Sequence, residues 1–176
     1  MKVTVYIASS ANGLISNSRN APDWLSAEYS KGFMEICRQK RAVIMGRKTY
    51  DILAPDYLPL KEDGIQVVLT SRTDIEPANK TVVFTSDGPD EIVSMLEQRG
   101  FSEAVIIGGT AVVSAFANAA LVDDILMVIE PRLFGGDGLP LLKGVDVDYK
   151  LKLLDSAKLN DDTLQVHYQI VDTMRP

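Results

Sequence analysis

Small, hydroxyl-bearing and cationic side chains follow three apolar runs of this sequence, and together they suit an anionic ligand. In open α/β sheets, ligands bind at the carboxyl ends of the strands, so we expect all three segments at one edge of a sheet. The residues concerned are Gly46, Arg47, Lys48, Thr49, Thr70, Ser71, Arg72, Gly108, Gly109, Thr110 and Ala111, and Leu69 and Ile107 are the last apolar residues of the second and third runs.

The glycine pair Gly108-Gly109 is the first candidate for phosphate chemistry. Without side chains, it lets a diphosphate approach the backbone and the unpaired N–H groups at the start of the helix that follows. A tight turn between a strand and a helix would use the same two residues. The pair also differs from the spaced G-x-G-x-x-G pattern of many dinucleotide sites, so it leaves both interpretations open.

Arg47 and Arg72, with Ser71, supply donors for a phosphate monoester. Arginine presents a planar set of N–H groups that matches phosphate oxygens. The residues after the second run lack the acidic side chain that binds a ribose 2′-hydroxyl in NAD sites. The pattern therefore favours NADPH over NADH, although each arginine taken singly is also typical of a solvated surface.

Composition indicates one globular domain covering residues 1–176, with 46% hydrophobic and 24% charged residues. The net charge is -6 and no basic stripe is evident, which argues against a nucleic-acid partner. No apolar run approaches the roughly 20 residues of a membrane span, so we expect no membrane partner and a cytoplasmic location. One histidine and one cysteine do not suggest a metal site.

Apolar runs rich in β-branched residues alternate with helical patterns, which predicts an α/β fold. Strands are predicted at residues 3–8, 42–45, 66–70, 81–85, 104–107 and 124–130, and helices at 26–40, 47–52, 89–99 and 110–119. Segments 150–159 and 163–171 show strand-like alternation around a short polar turn. We predict a mixed, mostly parallel sheet with an antiparallel C-terminal hairpin at its edge.

The order of these motifs resembles the dihydrofolate reductase superfamily over nearly the whole chain. Matching segments lie at residues 7–15, 45–50, 68–72 and 105–109. Segment 123–141 looks like the C-terminal reductase domain of the bifunctional deaminase-reductase of riboflavin biosynthesis. The resemblance implies a three-layer dihydrofolate reductase-like α/β fold and NADPH-dependent reduction of a small heterocycle, similar to 5-amino-6-(5-phosphoribosylamino)uracil reductase, by a homodimer.

The resemblance also implies roles for individual positions. Segment 46–49 would bind the cofactor phosphates, segment 69–72 would line the adenosine, and the glycine pair with the two residues behind it would hold the diphosphate. The backbone at Ala8, Gly13 and Ile15 would meet the nicotinamide and close over it. Apart from the resemblance, we expect Trp24, Phe33 and Pro131 to line the substrate side.

The predicted first helix departs from dihydrofolate reductases, which carry an acidic residue there that binds the pteridine ring. The matching register falls on Tyr29 or Ser30, and Glu28 lies one residue, or about 100° of helix rotation, away. No acid is assigned a catalytic role, and Asp23 and Glu28 are the nearest candidates. Dihydrofolate reductase activity and a non-catalytic NADPH-binding module are the alternatives.

Overall fold

An eight-stranded sheet with helices on both faces forms the centre of this computed structural model, which describes residues 1–19, 21–54, 57–58, 60, 62–72, 75–77 and 79–174. The elements in chain order are β1 (Lys2–Ser10), β2 (Leu14–Ser16), α1 (Ala27–Lys40), β3 (Ala42–Gly46), α2 (Arg47–Leu53), β4 (Ile65–Leu69), β5 (Val82–Thr85), α3 (Pro89–Gln98), β6 (Glu103–Ile106), α4 (Thr110–Asn118), β7 (Asp124–Glu130), β8 (Leu139–Pro140), β9 (Asp148–Lys158) and β10 (Leu164–Met174).

The strand order β5-β4-β3-β6-β1-β7-β10-β9 confirms the predicted mixed sheet. The first six strands are mutually parallel, whereas β10 pairs antiparallel with both β7 and β9. Because β3 lies between β4 and β6, the segments that follow these three strands leave the sheet at the same edge. Gly46 is in register with Leu69, which brings the first two segments side by side.

Two apolar layers sandwich the sheet because the side chains of β1 alternate between its faces. Val3 and Val5 pack with α3 and α4, whereas Tyr6 and Ala8 pack with α1 and α2. Strands buried on both faces produce the nearly continuous apolar runs seen in the sequence. The three-layer arrangement agrees with the fold that the resemblance implied.

A small two-stranded sheet, β2 with β8, was not among the predicted elements. Leu14 pairs with Pro140 and Ser16 with Leu139. Strands of three and two residues carry no periodicity of their own, so only their contact across the chain defines them. The C-terminal hairpin, by contrast, is present as predicted, and each of its strands is longer than the predicted segment.

No described helix has the length and apolarity needed to cross a membrane. Cys37, a residue of α1, is fully buried in the apolar layer between this helix and the sheet, and burial raises the pKa of its thiol to about 12. A thiol in that environment stays protonated and acts as a small apolar side chain.

Candidate functional site

A cavity of about 930 Å³ opens at the carboxyl ends of β3, β4 and β6. Fourteen of the residues predicted for the cofactor or substrate lie in its wall. They are Ala8, Ile15, Trp24, Phe33, Gly46, Arg47, Lys48, Thr49, Leu69, Ile107, Gly108, Gly109, Thr110 and Ala111. One continuous cavity thus joins the three strand-end segments to the segment before α1.

The glycine turn, Gly108–Gly109, forms the floor between β6 and α4. Gly108 has φ +107°, a conformation that L side chains rarely adopt, and its carbonyl accepts a 2.9 Å hydrogen bond from the Gly46 N–H. The bond between the two glycines is cis. A Cβ on Gly109 would have no protein atom within 4 Å apart from its chain neighbours, so Gly109 borders open space.

The first turn of α4 presents backbone donors at this glycine turn. Gly109 is the N-cap and supplies no side-chain hydrogen bond, while its carbonyl accepts from Val112 and Val113. The Thr110 hydroxyl donates to the carbonyl of Pro140 at 2.6 Å. At Thr110, therefore, the backbone N–H rather than the hydroxyl is available to an anion.

Arg47 begins α2 and is held in place by its own neighbours. Its Nε donates to Asp51 at 2.7 Å, and its guanidinium lies 5.7 Å from the ring of Tyr50 and 5.6 Å from that of Phe84. Its Nη1 is buried and has no hydrogen-bond partner among the described residues. A buried donor without a partner is costly, and an anion in the cavity would satisfy it.

Thr70, Ser71 and Arg72 continue the chain beyond Leu69 and are not part of the cavity wall. The side chain of Arg72 is exposed, and its backbone N–H donates to the Thr70 hydroxyl at 3.1 Å. Because Leu69 pairs with Gly46, this segment lies beside the start of α2. The two arginines therefore meet the cavity differently, one in its wall and one outside it.

The residues predicted to meet the nicotinamide also lie partly in the cavity wall and partly outside it. Ala8 and Ile15 lie in the wall, whereas Gly13 is an exposed turn residue with φ +81° outside it. Asn12, next to that turn, donates from Nδ2 to the Phe134 carbonyl at 2.8 Å and accepts from the Phe134 N–H at 3.1 Å. The loop after β1 is thereby tied to the loop after β7.

An aromatic chamber lies at the α1 end of the cavity. Its wall consists of Trp24, Leu25, Tyr29, Phe33 and Met34. Trp24 packs edge-on against Phe134 with 4.9 Å between ring centroids, and Tyr29 stacks on Tyr6 at 5.2 Å. Rigid aromatic side chains of this kind suit a planar ring.

Glu130, at the end of β7, positions this chamber and was not identified from the sequence. It is 2% exposed, and its Oε1 accepts from the Ser26 N–H at 3.0 Å and from the Ser26 hydroxyl at 2.7 Å. Its Oε2 accepts from the Thr163 hydroxyl at 3.3 Å. Since Ser26 is the N-cap of α1, Glu130 fixes where that helix begins. No local pattern distinguishes this glutamate from a solvated one.

The acids considered for catalysis lie elsewhere. Asp23 is exposed and pairs with Arg19 at 3.0 Å, and Glu28 accepts from Asn160 Nδ2 at 3.0 Å. Neither belongs to the wall, and neither does Pro131, which is exposed in the loop after β7.

The charges of the wall are all of one sign in the described part of the chain. It contains three cations, Arg47, Lys48 and Lys143, and no aspartate, glutamate, histidine or cysteine. The described residues also hold no group of three such side chains that could bind a metal ion. A protein of net charge -6 thus presents a locally positive cavity.

Solved structures share this architecture. A putative riboflavin biosynthesis protein from Shewanella sp. PV-4 is 23% identical, with a TM-score of 0.82 over 98% of this chain and all of that one. A pyrimidine reductase-like protein from Corynebacterium diphtheriae is 14% identical, with a TM-score of 0.80 over 97% of this chain and 92% of that one. A diaminohydroxyphosphoribosylaminopyrimidine deaminase/5-amino-6-(5-phosphoribosylamino)uracil reductase from Thermotoga maritima is 19% identical, with a TM-score of 0.74 over 97% of this chain and 56% of that one.

Sequence comparison finds two similar proteins of Bacillus subtilis (strain 168), the uncharacterized proteins YyaP and YwjB. They are 25% identical over 179 residues and 27% identical over 173 residues. Each match covers 95% of this chain, with 94% and 97% of the respective relative. The family model of the RibD C-terminal domain matches residues 1–165. With its fold and its cavity at the expected sheet edge, this chain belongs to the RibD C-terminal domain family.

Proposed function

We propose that this protein is an NADPH-dependent reductase that adds a hydride to a C=N or C=O bond of a small planar heterocycle. One observation carries the proposal: a single cavity connects a phosphate-type surface at the strand ends with an aromatic chamber. The family includes reductase domains, which supports the reaction class.

The residues present fit a phosphorylated dinucleotide. Gly109 leaves room for close approach to the backbone, the first turn of α4 offers N–H groups, and Arg47 has a buried donor without a partner. Segment 69–72 lies beside Arg47 and would hold the adenosine end. We assign the diphosphate to the glycine turn, with Lys48 alongside it, because no described wall residue carries an opposing charge.

The protein's own residues act by positioning and by excluding water. NADPH supplies the hydride when bound. Trp24 and Phe33 hold the substrate ring in the aromatic chamber, and the backbone at Ala8 and Ile15 closes the opposite wall. We assign the proton to solvent water, because the described wall holds no carboxylic acid or histidine. One hydride and one proton then balance the reduction of one double bond.

Two substrate classes follow from the resemblance, and one feature of α1 supports a choice between them. The T. maritima protein is named as a 5-amino-6-(5-phosphoribosylamino)uracil reductase, so aminopyrimidine ribosylamines are the first class. Dihydrofolate is the second. Tyr29 or Ser30 stands in the register where dihydrofolate reductases have an acid. Tyr29 is buried against Tyr6, and the Ser30 hydroxyl donates to the Ser26 carbonyl at 3.1 Å. The described cavity wall offers no carboxylate for a pteridine ring, so we favour the aminopyrimidine class.

Binding and turnover can be measured separately because Trp24 is the single tryptophan and lines the cavity. NADPH should quench its fluorescence, and stopped-flow absorbance should then report oxidation of the bound nucleotide with each substrate. Phe33→Ala should raise KM for the heterocycle and leave the Kd for NADPH within about twofold. Nucleotide binding without turnover of either substrate class would contradict the reductase proposal and favour a binding module.

A further inference from the structure

A polar stripe along α4 binds the chain segment 140–144, here called the strap. Thr110, Ser114 and Asn118 are spaced four residues apart and therefore share one face of the helix. The three contacts are Thr110 Oγ1 to the Pro140 carbonyl at 2.6 Å, the Lys143 N–H to Ser114 Oγ at 2.9 Å, and Asn118 Nδ2 to the Gly144 carbonyl at 3.1 Å. The strap thus follows α4 from its first residue to its last.

The strap is anchored at the cavity as well. Its first residue, Pro140, pairs with Leu14 in the small sheet, and the preceding Leu139 lies in the cavity wall. Lys143 lies in the same wall. Because its backbone is hydrogen-bonded to α4, the position of Lys143 relative to the glycine turn is set by the helix.

Lys143 lies within reach of the start of α4. Ser114, which holds its backbone, is four residues from Thr110, or about 6 Å along the helix axis. The flexible four-carbon stem of a lysine spans about the same distance. The Lys143 side chain is exposed and forms no ion pair with any described residue. Its charge is therefore available to a ligand in the cavity.

We propose that Lys143 is a further cofactor-binding residue that, together with Lys48, binds the diphosphate of the dinucleotide. This inference rests on the proposed function, since it assumes a dinucleotide in the cavity. Lys48 lies two residues after Gly46, whose N–H donates a hydrogen bond to the Gly108 carbonyl. Lys143 belongs to the strap, and its N–H donates to Ser114 on α4. The two lysines belong to different chain segments but lie in the same cavity wall, so a diphosphate at the glycine turn would have two cations available to it.

The test is a titration of wild type and Lys143→Gln with NADPH, NADH and 2′-AMP. Both dinucleotides contain the diphosphate, so Kd should rise about tenfold for each, equivalent to about 1.4 kcal/mol. The affinity for 2′-AMP, which lacks the diphosphate, should be unchanged. Lys143→Arg should retain the wild-type affinities within about threefold. Lys150→Gln, on the exposed edge strand β9, is the matched control for removing one positive charge.

Three results would overturn the assignment. The first is a Kd for NADPH within twofold of wild type in Lys143→Gln. The second is an equal loss of affinity for 2′-AMP, which would indicate a general electrostatic effect of the lost charge rather than a contact with the diphosphate. The third is an equal loss in Lys150→Gln. If the wild-type protein binds neither dinucleotide, the proposed function itself fails, and that result is visible before any variant is made.

Discussion

Substituting Gly109 by alanine should separate ligand binding from folding. The residue has φ -89° and ψ -163°, extended backbone that alanine adopts without strain. A Cβ there would have no protein atom within 4 Å besides its chain neighbours. Replacing glycine at an unstrained position reduces the entropy of the unfolded chain, so the free energy of unfolding should rise by about 0.4–1 kcal/mol.

The same methyl group should weaken nucleotide binding. It extends about 1.5 Å from the backbone into the space that we assign to the diphosphate. Each hydrogen bond to a charged group contributes about 1.5–3 kcal/mol, and one or two of them should be lost. The expected loss of about 1.5–6 kcal/mol corresponds to a rise in Kd from roughly tenfold to about 10⁴-fold. Stability and affinity should therefore change in opposite directions.

Two measurements on three variants test this reasoning. Urea unfolding followed by circular dichroism gives stability, and Trp24 fluorescence gives the Kd for NADPH. Gly135→Ala is the matched control, because a Cβ there also meets no atom within 4 Å and the residue is outside the cavity wall. Gly108→Ala should lose more than about 1 kcal/mol of stability, because its φ is +107°. The assignment would be refuted by a Gly109→Ala protein that is stable and binds NADPH with wild-type affinity.

Three further predictions follow. Arg72→Ala should raise the Kd for NADPH at least tenfold and leave NADH nearly unchanged, since only NADPH carries a 2′-phosphate; equal losses by titration would exclude this role. Glu130→Ala should lower the free energy of unfolding by about 3 kcal/mol in urea, because buried donors at the start of α1 lose their acceptor, and a loss below 1 kcal/mol would contradict it. Burial raises the pKa of Asp124, but hydrogen bonds from Lys2 and His167 outweigh it and lower the pKa below 3.8. The ionised Asp124 carboxylate stabilises the fold above about pH 3.8, and this stabilisation is lost as the pH falls further. The Asp124→Asn variant should therefore show a weaker dependence of its stability on pH in acid unfolding followed by circular dichroism.

Much of the sheet was predictable because its strands are buried on both faces. The resulting apolar runs identify β1, β3, β4, β6 and β7 by composition alone. The carboxyl ends of parallel strands meet at one edge, which is why the residues after these runs could be grouped from the sequence. Cytoplasmic location, the homodimer and the individual site assignments stay predictions.

Other parts of the site depend on contacts between distant segments. The bond between Glu130 and Ser26 joins residues 104 positions apart, and Asn12 and Phe134 are separated by 122. Such pairs leave no periodic trace in either segment. For the same reason the strap on α4 and the short β2–β8 sheet were found only from the structure.

The amino-acid sequence by itself determined which strands are buried, where the glycine pair follows a strand, and the family. These depend on local composition and on motifs in a fixed order. Tertiary structure decided which residues face the cavity. It placed Arg47 in the wall and Arg72 outside it, turned Asp23 and Glu28 toward other partners, and brought Lys143 to α4. Side-chain direction at the end of a strand depends on packing against neighbouring elements, and that packing exists only once the sheet and helices have assembled.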